Sequence, residues 1–255
     1  MNGKFHYRVS RGNNAFLHVH VKRPENNTQN CNIIFAHGFL GSGVENHRMF
    51  IRISDQLNKI GFTCVLFDQS GCGYSDGEYE SISLNDLRED LKIISIWVSK
   101  NLPGKIAYLG QSLGSALILS VDINVPVEFR IAINPAAYFG KWLTNHYGWD
   151  LKSKDNCFYA IPKGILVSRA LVMGLINWDW LSDLSESDIP SLIIASTCDE
   201  IGSVEVAQTI VQKLGNKTNL TLIEKANHSF IGQRELEMKL ISNIINWLRL
   251  RGDNA

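Results

Sequence analysis

Short apolar runs alternate with helical patterns along almost the whole chain of 255 residues. Most of these runs are uninterrupted, which is typical of strands in a parallel sheet that is covered on both faces. The second run alternates apolar and polar residues instead, which predicts a half-exposed antiparallel strand at the edge of the sheet. We predict eight strands, at residues 5–10, 16–22, 31–37, 62–68, 105–110, 128–134, 191–196 and 219–224.

Two of the intervening segments have a clear helical period. Apolar residues recur at helical spacing over 83–98, where Ser83 and Asp86 stand as N-cap and first-turn acid, and over 45–60, which Gly61 ends. Two strands followed by strand–helix repeats predict the α/β class, with a mostly parallel sheet and helices on both of its faces.

The segment 136–185 interrupts this alternation and is too long for an ordinary connection. We predict that it forms a cap inserted into a core made of residues 1–135 and 186–255. Its aromatic residues are dense: Tyr138, Phe139, Trp142, Tyr147, Trp149, Phe158, Tyr159, Trp178 and Trp180. Two explanations stay open, since the rings can fill the interior of a small cap or, with Trp142 and Trp149 foremost, line a substrate pocket.

The composition excludes several classes of function. Lys plus Arg and Asp plus Glu are 25 each, so no net charge favours nucleic acid or an anionic membrane. The N-terminus lacks a signal-peptide core and no apolar run approaches the roughly 20 residues of a membrane span, so we expect a cytoplasmic protein. Five scattered cysteines suit reduced thiols, and no motif for a metal or other cofactor is present, so we expect none. The oligomeric state stays open, a homodimer included.

Ser112 lies between Gly110 and Gly114 in "KIAYLGQSLGSALILS", where a predicted strand meets a predicted helix. This strand–turn–helix setting distinguishes a nucleophile elbow from a chance match to G-x-S-x-G. The alternative is a serine that caps the helix in a tight turn. The context favours the nucleophile.

A serine nucleophile needs a base and a residue that orients the base. His228 follows the last predicted strand, and Asp199 and Glu200 follow the strand before it, so all three lie at the edge of the sheet where Ser112 emerges. The chain order serine, acid, histidine is the order expected on such a sheet. We interpret His18 and His20 as residues of a half-exposed strand face rather than as a metal pair.

Three motifs together resemble the α/β-hydrolase fold family: "AHGFLGSG" at 36–43, "FDQSGCGYSDG" at 67–77 and "GQSLG" at 110–114. The resemblance covers nearly the whole chain and implies the α/β-hydrolase fold, with a mostly parallel eight-stranded sheet and an inserted cap. It also implies that Asp199 is the acid, although Ser196 stands where the family pattern has glycine and Glu200 remains the alternative. The aromatic cap and "LRED" in the helix at 83–98 are most similar to cinnamoyl and feruloyl esterases and related bacterial serine esterases.

The resemblance implies acyl transfer through an acyl-enzyme, with Ser112, Asp199 and His228 as the catalytic triad. The backbone N–H groups of Phe39 and Leu113 would form the oxyanion hole. We therefore expect a serine hydrolase that cleaves small carboxylic esters, with uncharged or aromatic acyl groups preferred to long fatty and anionic ones. An acyltransferase or thioesterase with the same acyl-serine chemistry, and a non-catalytic ligand-binding protein, are the alternatives.

Overall fold

The computed structural model describes residues 3–149, 158–161 and 164–252. Within these ranges, the strands are β1 (Gly3–Gly12), β2 (Ala15–Arg23), β3 (Cys31–Ala36), β4 (Thr63–Phe67), β5 (Lys105–Gln111), β6 (Val127–Ile133), β7 (Phe158–Ile161), β8 (Ile165–Ser168), β9 (Ser191–Ser196) and β10 (Thr218–Ile223). The α-helices are α1 (Met49–Lys59), α2 (Leu84–Asn101), α3 (Leu113–Ser120), α4 (Phe139–Tyr147), α5 (Arg169–Asn177), α6 (Trp180–Asp183), α7 (Val204–Leu214) and α8 (Arg234–Gly252). Each of these helices is too short or too polar to cross a bilayer.

All eight predicted strands lie in one sheet, in the order β1-β2-β4-β3-β5-β6-β9-β10. The pairs that involve β2 are antiparallel, and the other pairs in the sheet are parallel. The parallel arrangement brings the carboxyl ends of β3, β5, β6, β9 and β10 to one edge. Residues that directly follow these strands therefore meet there.

The prediction that the second strand is an edge strand is wrong. A tight hairpin after β1 lets β1 pair with the outer side of β2, so β1 forms the edge and β2 pairs on both sides. The alternation in β2 has another cause. Leu17, Val19 and Val21 are fully buried, whereas His18 and His20 on the opposite face are half-buried. One-sided burial is what produced the alternating pattern.

Helix α1 begins later than predicted, at Met49 rather than near residue 45. Residues 46–48 form a short 3-10 turn instead, in which His47 has a positive φ of 41°. The carboxylate of Glu45 accepts hydrogen bonds from the backbone N–H groups of Asn46 and Gly38, which holds this turn against the loop that follows β3.

Apolar side chains cover both faces of the sheet, which accounts for the uninterrupted apolar runs. In β3, Ile34 packs into a cluster with residues of α2 and α3, while Ile33 and Phe35 pack into a second cluster with residues of α1 and α8. Burying one such side chain stabilises the fold by roughly 1.5–3 kcal/mol. The core thus consists of two apolar layers separated by the sheet.

The described part of segment 136–185 contains α4, the antiparallel pair of β7 and β8, α5 and α6. Residues 150–157 and 162–163 of the predicted cap lie outside the described residues. Buried residues of this segment, including Leu171 and Trp180, belong to the same apolar cluster as α2, α3 and one face of the sheet. The segment therefore packs on the core through large apolar side chains.

Three histidines cluster on the hairpin that β1 and β2 form. His6 Nδ1 and His18 Nε2 are 3.0 Å apart, His18 Nδ1 is 3.1 Å from the Asp68 carboxylate, and the rings of His6 and His20 stack at 4.5 Å. In the described ranges, no group of three His, Cys, Asp or Glu side chains has an arrangement that could hold a metal ion. Burial lowers the pKa of His20 to about 4, with smaller contributions from the positive charges of His6 and Lys22.

The low pKa of His20 makes stability depend on pH. In the unfolded chain a histidine takes up a proton near pH 6.5, whereas native His20 stays neutral until about pH 4. Between these values the unfolded state binds more protons, so the free energy of unfolding falls as the pH falls from 6.5 to 4. We expect His20→Gln to lose less stability than the wild type over this window, by a few degrees in Tm. Urea and thermal unfolding at pH 7.5, 6, 5 and 4.5 measure this; parallel pH profiles would contradict it.

Candidate active site

Ser112 lies at the sharp turn between β5 and α3, with φ 55° and ψ −117°. A non-glycine residue with such a backbone is strained by on the order of 1–3 kcal/mol. Hydrogen bonds hold it there, because the Ser112 N–H donates to the Ile133 carbonyl at 2.9 Å and the Ser112 carbonyl accepts from the Ala116 N–H at 3.2 Å. The Ser112 side chain makes no capping hydrogen bond to α3, so the helix-cap alternative is wrong.

The two flanking glycines permit the close packing of this turn. A Cβ on Gly110 would lie 2.7 Å from the backbone carbonyl of Gly114, and a Cβ on Gly114 would lie 2.0 Å from the carbonyl oxygen of Ala36. Both distances are far below van der Waals contact. The first turn of α3 thus rests directly on the end of β3 because neither position has a side chain.

His228 connects Ser112 to Asp199. His228 Nε2 is 2.8 Å from the Ser112 Oγ, and His228 Nδ1 is 2.7 Å from the Asp199 Oδ2. When the Asp199 carboxylate accepts a hydrogen bond from His228 Nδ1–H, the neutral imidazole has its proton on Nδ1. Its Nε2 is then free to accept the serine proton. The structure thus brings together three residues that lie after β5, β9 and β10, in the order expected from the sequence.

The Asp199 carboxylate is held by three donors. Besides His228, the backbone N–H groups of Ile201 and Gly202 donate to Asp199 Oδ1 at 2.7 and 2.9 Å, and the side chain is fully buried. These hydrogen bonds offset the cost of burying the charge. Glu200 is exposed. Of the two acids that the sequence left open, Asp199 therefore faces His228.

Two amide side chains fix the backbone of His228, and the sequence analysis did not identify them. Asn134 Nδ2 donates to the His228 carbonyl at 2.7 Å, and Gln111 Nε2 donates to the same oxygen at 3.2 Å. Asn134 also accepts from the Ser196 N–H at 2.8 Å. The sequence offered one hint of these contacts: Asn134 follows β6 and Ser196 ends β9, both at the edge of the sheet that carries the site. A side-chain contact to a backbone carbonyl leaves no motif.

Of the predicted oxyanion donors, Leu113 directly follows Ser112, and Phe39 follows Gly38 in the loop after β3. Leu113 is the first residue of α3, so its N–H has no acceptor within the helix. Gly38, which precedes Phe39, lies against the serine, because a Cβ built on it would be 3.4 Å from the Ser112 Cβ. The structure therefore places both the loop after β3 and the N-terminus of α3 next to Ser112.

Buried polar groups brace the loop that carries Phe39. His37 Nδ1–H donates to the Gly38 carbonyl at 2.8 Å, and His37 Nε2 accepts from the Gln69 N–H at 3.0 Å. The Asp68 carboxylate accepts from the Gly43 and Tyr74 N–H groups at 2.6 and 2.9 Å. His37 and Asp68 therefore shape this loop and do not contact Ser112 or His228.

Aromatic rings connect this loop to α4. The Phe39 ring contacts Tyr79 and Phe139 at centroid distances of 5.5 and 5.2 Å, and Phe139 stacks on Trp142 at 5.9 Å. Trp142 also stacks on His146, and Trp149 stacks on Tyr147 at 5.2 Å. Trp142 and Trp149 thus lie in a continuous row of rings that starts at the loop, and their contact with a substrate stays a prediction.

Residues 32–121, from β3 through α3, match the sequence model of a family described as the α/β hydrolase fold. Palmitoyl-protein thioesterase ABHD10, mitochondrial, of Rattus norvegicus is 27% identical over 158 residues, which are 56% of this chain and 52% of that protein. Uncharacterized protein R595 of Acanthamoeba polyphaga mimivirus is 28% identical over 131 residues, which are 44% of this chain and 41% of that protein. The matches thus span about half the length of these relatives.

Solved structures resemble almost the entire fold. Est1E from Butyrivibrio proteoclasticus with bound ferulic acid superposes with a TM-score of 0.77 and 21% identity, over 94% of this chain and 97% of that chain. Alpha/beta hydrolase domain-containing protein 10 from mouse gives a TM-score of 0.74 and 19% identity, over 96% and 98%. The sheet order, the family match and these neighbours agree. The chain therefore has the α/β-hydrolase fold, as its motifs predicted.

Proposed function

We propose that this protein is a serine hydrolase that cleaves small carboxylic esters through an acyl-enzyme on Ser112. The observation that carries the proposal is the hydrogen-bonded chain from Ser112 through His228 to Asp199, in which the serine occupies a strained turn and does not cap its helix. A serine hydroxyl is a weak nucleophile near neutral pH, and an adjacent oriented base is what activates it.

In the proposed reaction, Ser112 Oγ attacks the ester carbonyl while His228 Nε2 accepts its proton. Asp199 stabilises the imidazolium and keeps Nδ1 protonated. The N–H groups of Phe39 and Leu113 donate to the oxyanion, a contribution of about 3 kcal/mol for each donor in comparable sites. His228 then protonates the departing alcohol, and it activates the water that releases the acyl group.

The contacts around His228 support this mechanism because they fix the base in advance. Gln111 and Asn134 hold its backbone carbonyl, and Asp199 holds its ring. A catalytic group that is supported in this way loses little entropy when the transition state forms. The imidazole of His228 is thus already held in the position that the proposed acyl transfer needs.

For the substrate, we propose an uncharged or aromatic acyl group of modest size, received beneath a cap formed by residues 136–185. The row of rings from Phe39 to Trp142 supports this, because aromatic walls favour apolar and aromatic ligands. Est1E, which shares the fold, was crystallised with ferulic acid. We therefore expect the protein to hydrolyse esters of such acyl groups in preference to esters of long fatty acids and of anionic acids.

Thioester cleavage is the second candidate. ABHD10 of Rattus norvegicus, which matches 56% of this chain, is named a palmitoyl-protein thioesterase. The same acyl-serine intermediate would serve, with a thiolate in place of the alcohol as leaving group.

Transfer of the acyl group to an alcohol or amine also uses this intermediate. A product assay with added alcohol and amine acceptors distinguishes acyl transfer from hydrolysis.

We expect a fluorophosphonate probe to label wild-type protein and not Ser112→Ala. Ester turnover should fall by about 10⁴-fold or more in both Ser112→Ala and His228→Ala, because the members of a triad act as a unit. Intact-mass measurement of the adduct and initial rates with p-nitrophenyl acetate check this. Ser120→Ala, at the half-buried C-terminal end of the same helix, is the matched control, because the Ser120 hydroxyl donates only to the Ala116 carbonyl. Labelling that persists in Ser112→Ala would exclude the assignment, and absence of any labelling would favour a non-catalytic protein.

We expect Asp199→Asn to lower kcat by about 10⁴-fold, because an amide at this position favours the wrong imidazole tautomer. Glu200→Gln should change kcat less than about twofold, since the Glu200 side chain is exposed. Rates at saturating ester, with circular dichroism to verify folding, measure both. If the two effects came out reversed, Glu200 and not Asp199 would be the acid.

We expect a substrate panel to separate the two candidate functions. Acetate, butyrate, ferulate and palmitate esters should be compared with acetyl and palmitoyl thioesters, and the short and aromatic esters should give the highest kcat/KM. In Trp142→Ala, KM for these esters should rise by about tenfold or the chain-length preference should shift. If Trp142→Ala were less stable but kept the selectivity of the wild type, Trp142 would serve only in packing. If the wild type had its highest kcat/KM with the palmitoyl thioester, thioester cleavage would be the favoured function.

A further inference from the structure

A cleft of about 460 Å³ lies at the end of α3 that is far from Ser112. Its walls come from α2, from the C-terminal end of α3 and the residues after it, from the middle of β6, from residues in the segment 178–187 that leads towards β9, and from the end of α7. Since α3 is eight residues long, about 12 Å of helix separates the cleft from the serine. A ligand in this cleft would not occupy the candidate active site.

Three cationic side chains line the cleft: Arg88 and Lys92 on α2, and Arg130 on β6. Arg88 and Lys92 are four residues apart and so project from the same face of the helix. All three are half-buried. Among the described residues, none of the three has a carboxylate within 4.0 Å, whereas the half-buried Arg11 and Arg52 both have such a partner.

Arg130 is the residue that most clearly lacks a partner. Its Nε is buried and has no hydrogen-bond acceptor among the described residues. Tyr108 is the titratable group close enough to affect it, but the Tyr108 hydroxyl donates to Ser95 Oγ at 2.8 Å, and burial raises the pKa of Tyr108 to about 12. The phenol is therefore neutral, and a guanidinium N–H faces a low-dielectric wall without an acceptor, which is costly.

Arg88 is oriented by an aromatic contact. Its guanidinium lies 4.8 Å from the centroid of the Trp178 ring, and one of its nitrogens donates to Asn85 at 3.1 Å. Stacking on the indole leaves the remaining N–H groups along the edge of the guanidinium plane free to donate. Three carboxylates, of Asp122, Asp183 and Glu186, also line the cleft, and the negative charge of Asp183 acts on Arg88.

We propose that this cleft binds a small molecule through an oxyanion, a phosphate or carboxylate group that Arg130 and Lys92 contact and Arg88 orients. Two guanidinium groups and an ammonium supply donors that match the oxygens of such a group, and a guanidinium can hold two of them at once. The carboxylates of Asp122, Asp183 and Glu186 lie in the same cleft and would repel the further charged groups of a polyanion, which favours a ligand with one phosphate or carboxylate group. The proposal does not depend on the reaction proposed for Ser112.

Titration with inorganic phosphate and, separately, with acetate at constant ionic strength tests this, with calorimetry and NMR of the protein as readouts. We expect saturable binding of phosphate, and weaker binding of acetate because it has a single charge. Arg130→Gln and Lys92→Gln should each weaken binding by at least about tenfold. Lys100→Gln, an exposed position on the same helix α2, is the matched control and should bind like wild type.

Ser112→Ala distinguishes this cleft from the candidate active site and should bind phosphate as tightly as wild type. The proposal is overturned if neither anion binds saturably, if Ser112→Ala loses binding, or if Arg130→Gln and Lys92→Gln both bind like wild type. If Arg130→Gln does not fold, Lys92→Gln decides, because Lys92 lies on the wall of the cleft and outside the sheet. Tighter binding of acetate than phosphate would identify the ligand as a carboxylate.

Discussion

The contact between α3 and the end of β3 determines the geometry of the whole site. It exists because Gly114 has no side chain: a Cβ there would overlap the Ala36 carbonyl oxygen, at 2.0 Å. With the helix this close, Ser112 is forced into the turn before it, Leu113 presents its N–H at the start of the helix, and Gly38 lies against the serine. A helix displaced by the width of a methyl group would move Ser112 and Leu113 together away from Gly38.

Charges buried near this contact stabilise loops rather than the sheet. Glu45 and Asp68 accept backbone hydrogen bonds from the loop after β3, and Asp199 accepts from the loop after β9. Each carboxylate replaces lost hydration with short hydrogen bonds from N–H groups, which keeps an irregular backbone in one conformation. The sheet supplies the positions of the strand ends, and these carboxylates determine the shapes of the loops that leave them.

The sequence predicted the parts of the fold that depend on burial. Uninterrupted apolar runs identified the central strands of the sheet, because both of their faces are covered, and the alternating run identified β2. Strand order in the chain brought Ser112, Asp199 and His228 to one edge. It failed where a local pattern has two causes, as in β2, whose alternation reflects one-sided burial and not an edge. It also missed Gln111 and Asn134, because side-chain contacts to a distant backbone carbonyl depend on tertiary structure alone.

The positive φ of Ser112 sets the proposed activity against stability at one position. Glycine adopts this backbone without strain, so a glycine there would relieve the strain of the turn while removing the hydroxyl. The native chain is thus less stable at this turn than its own backbone geometry allows, a trade-off known for sites under functional constraint. Selection for thermal stability alone would therefore tolerate replacement of this serine, and screens for stabilised variants of this protein need a readout of the proposed activity beside the melting curve.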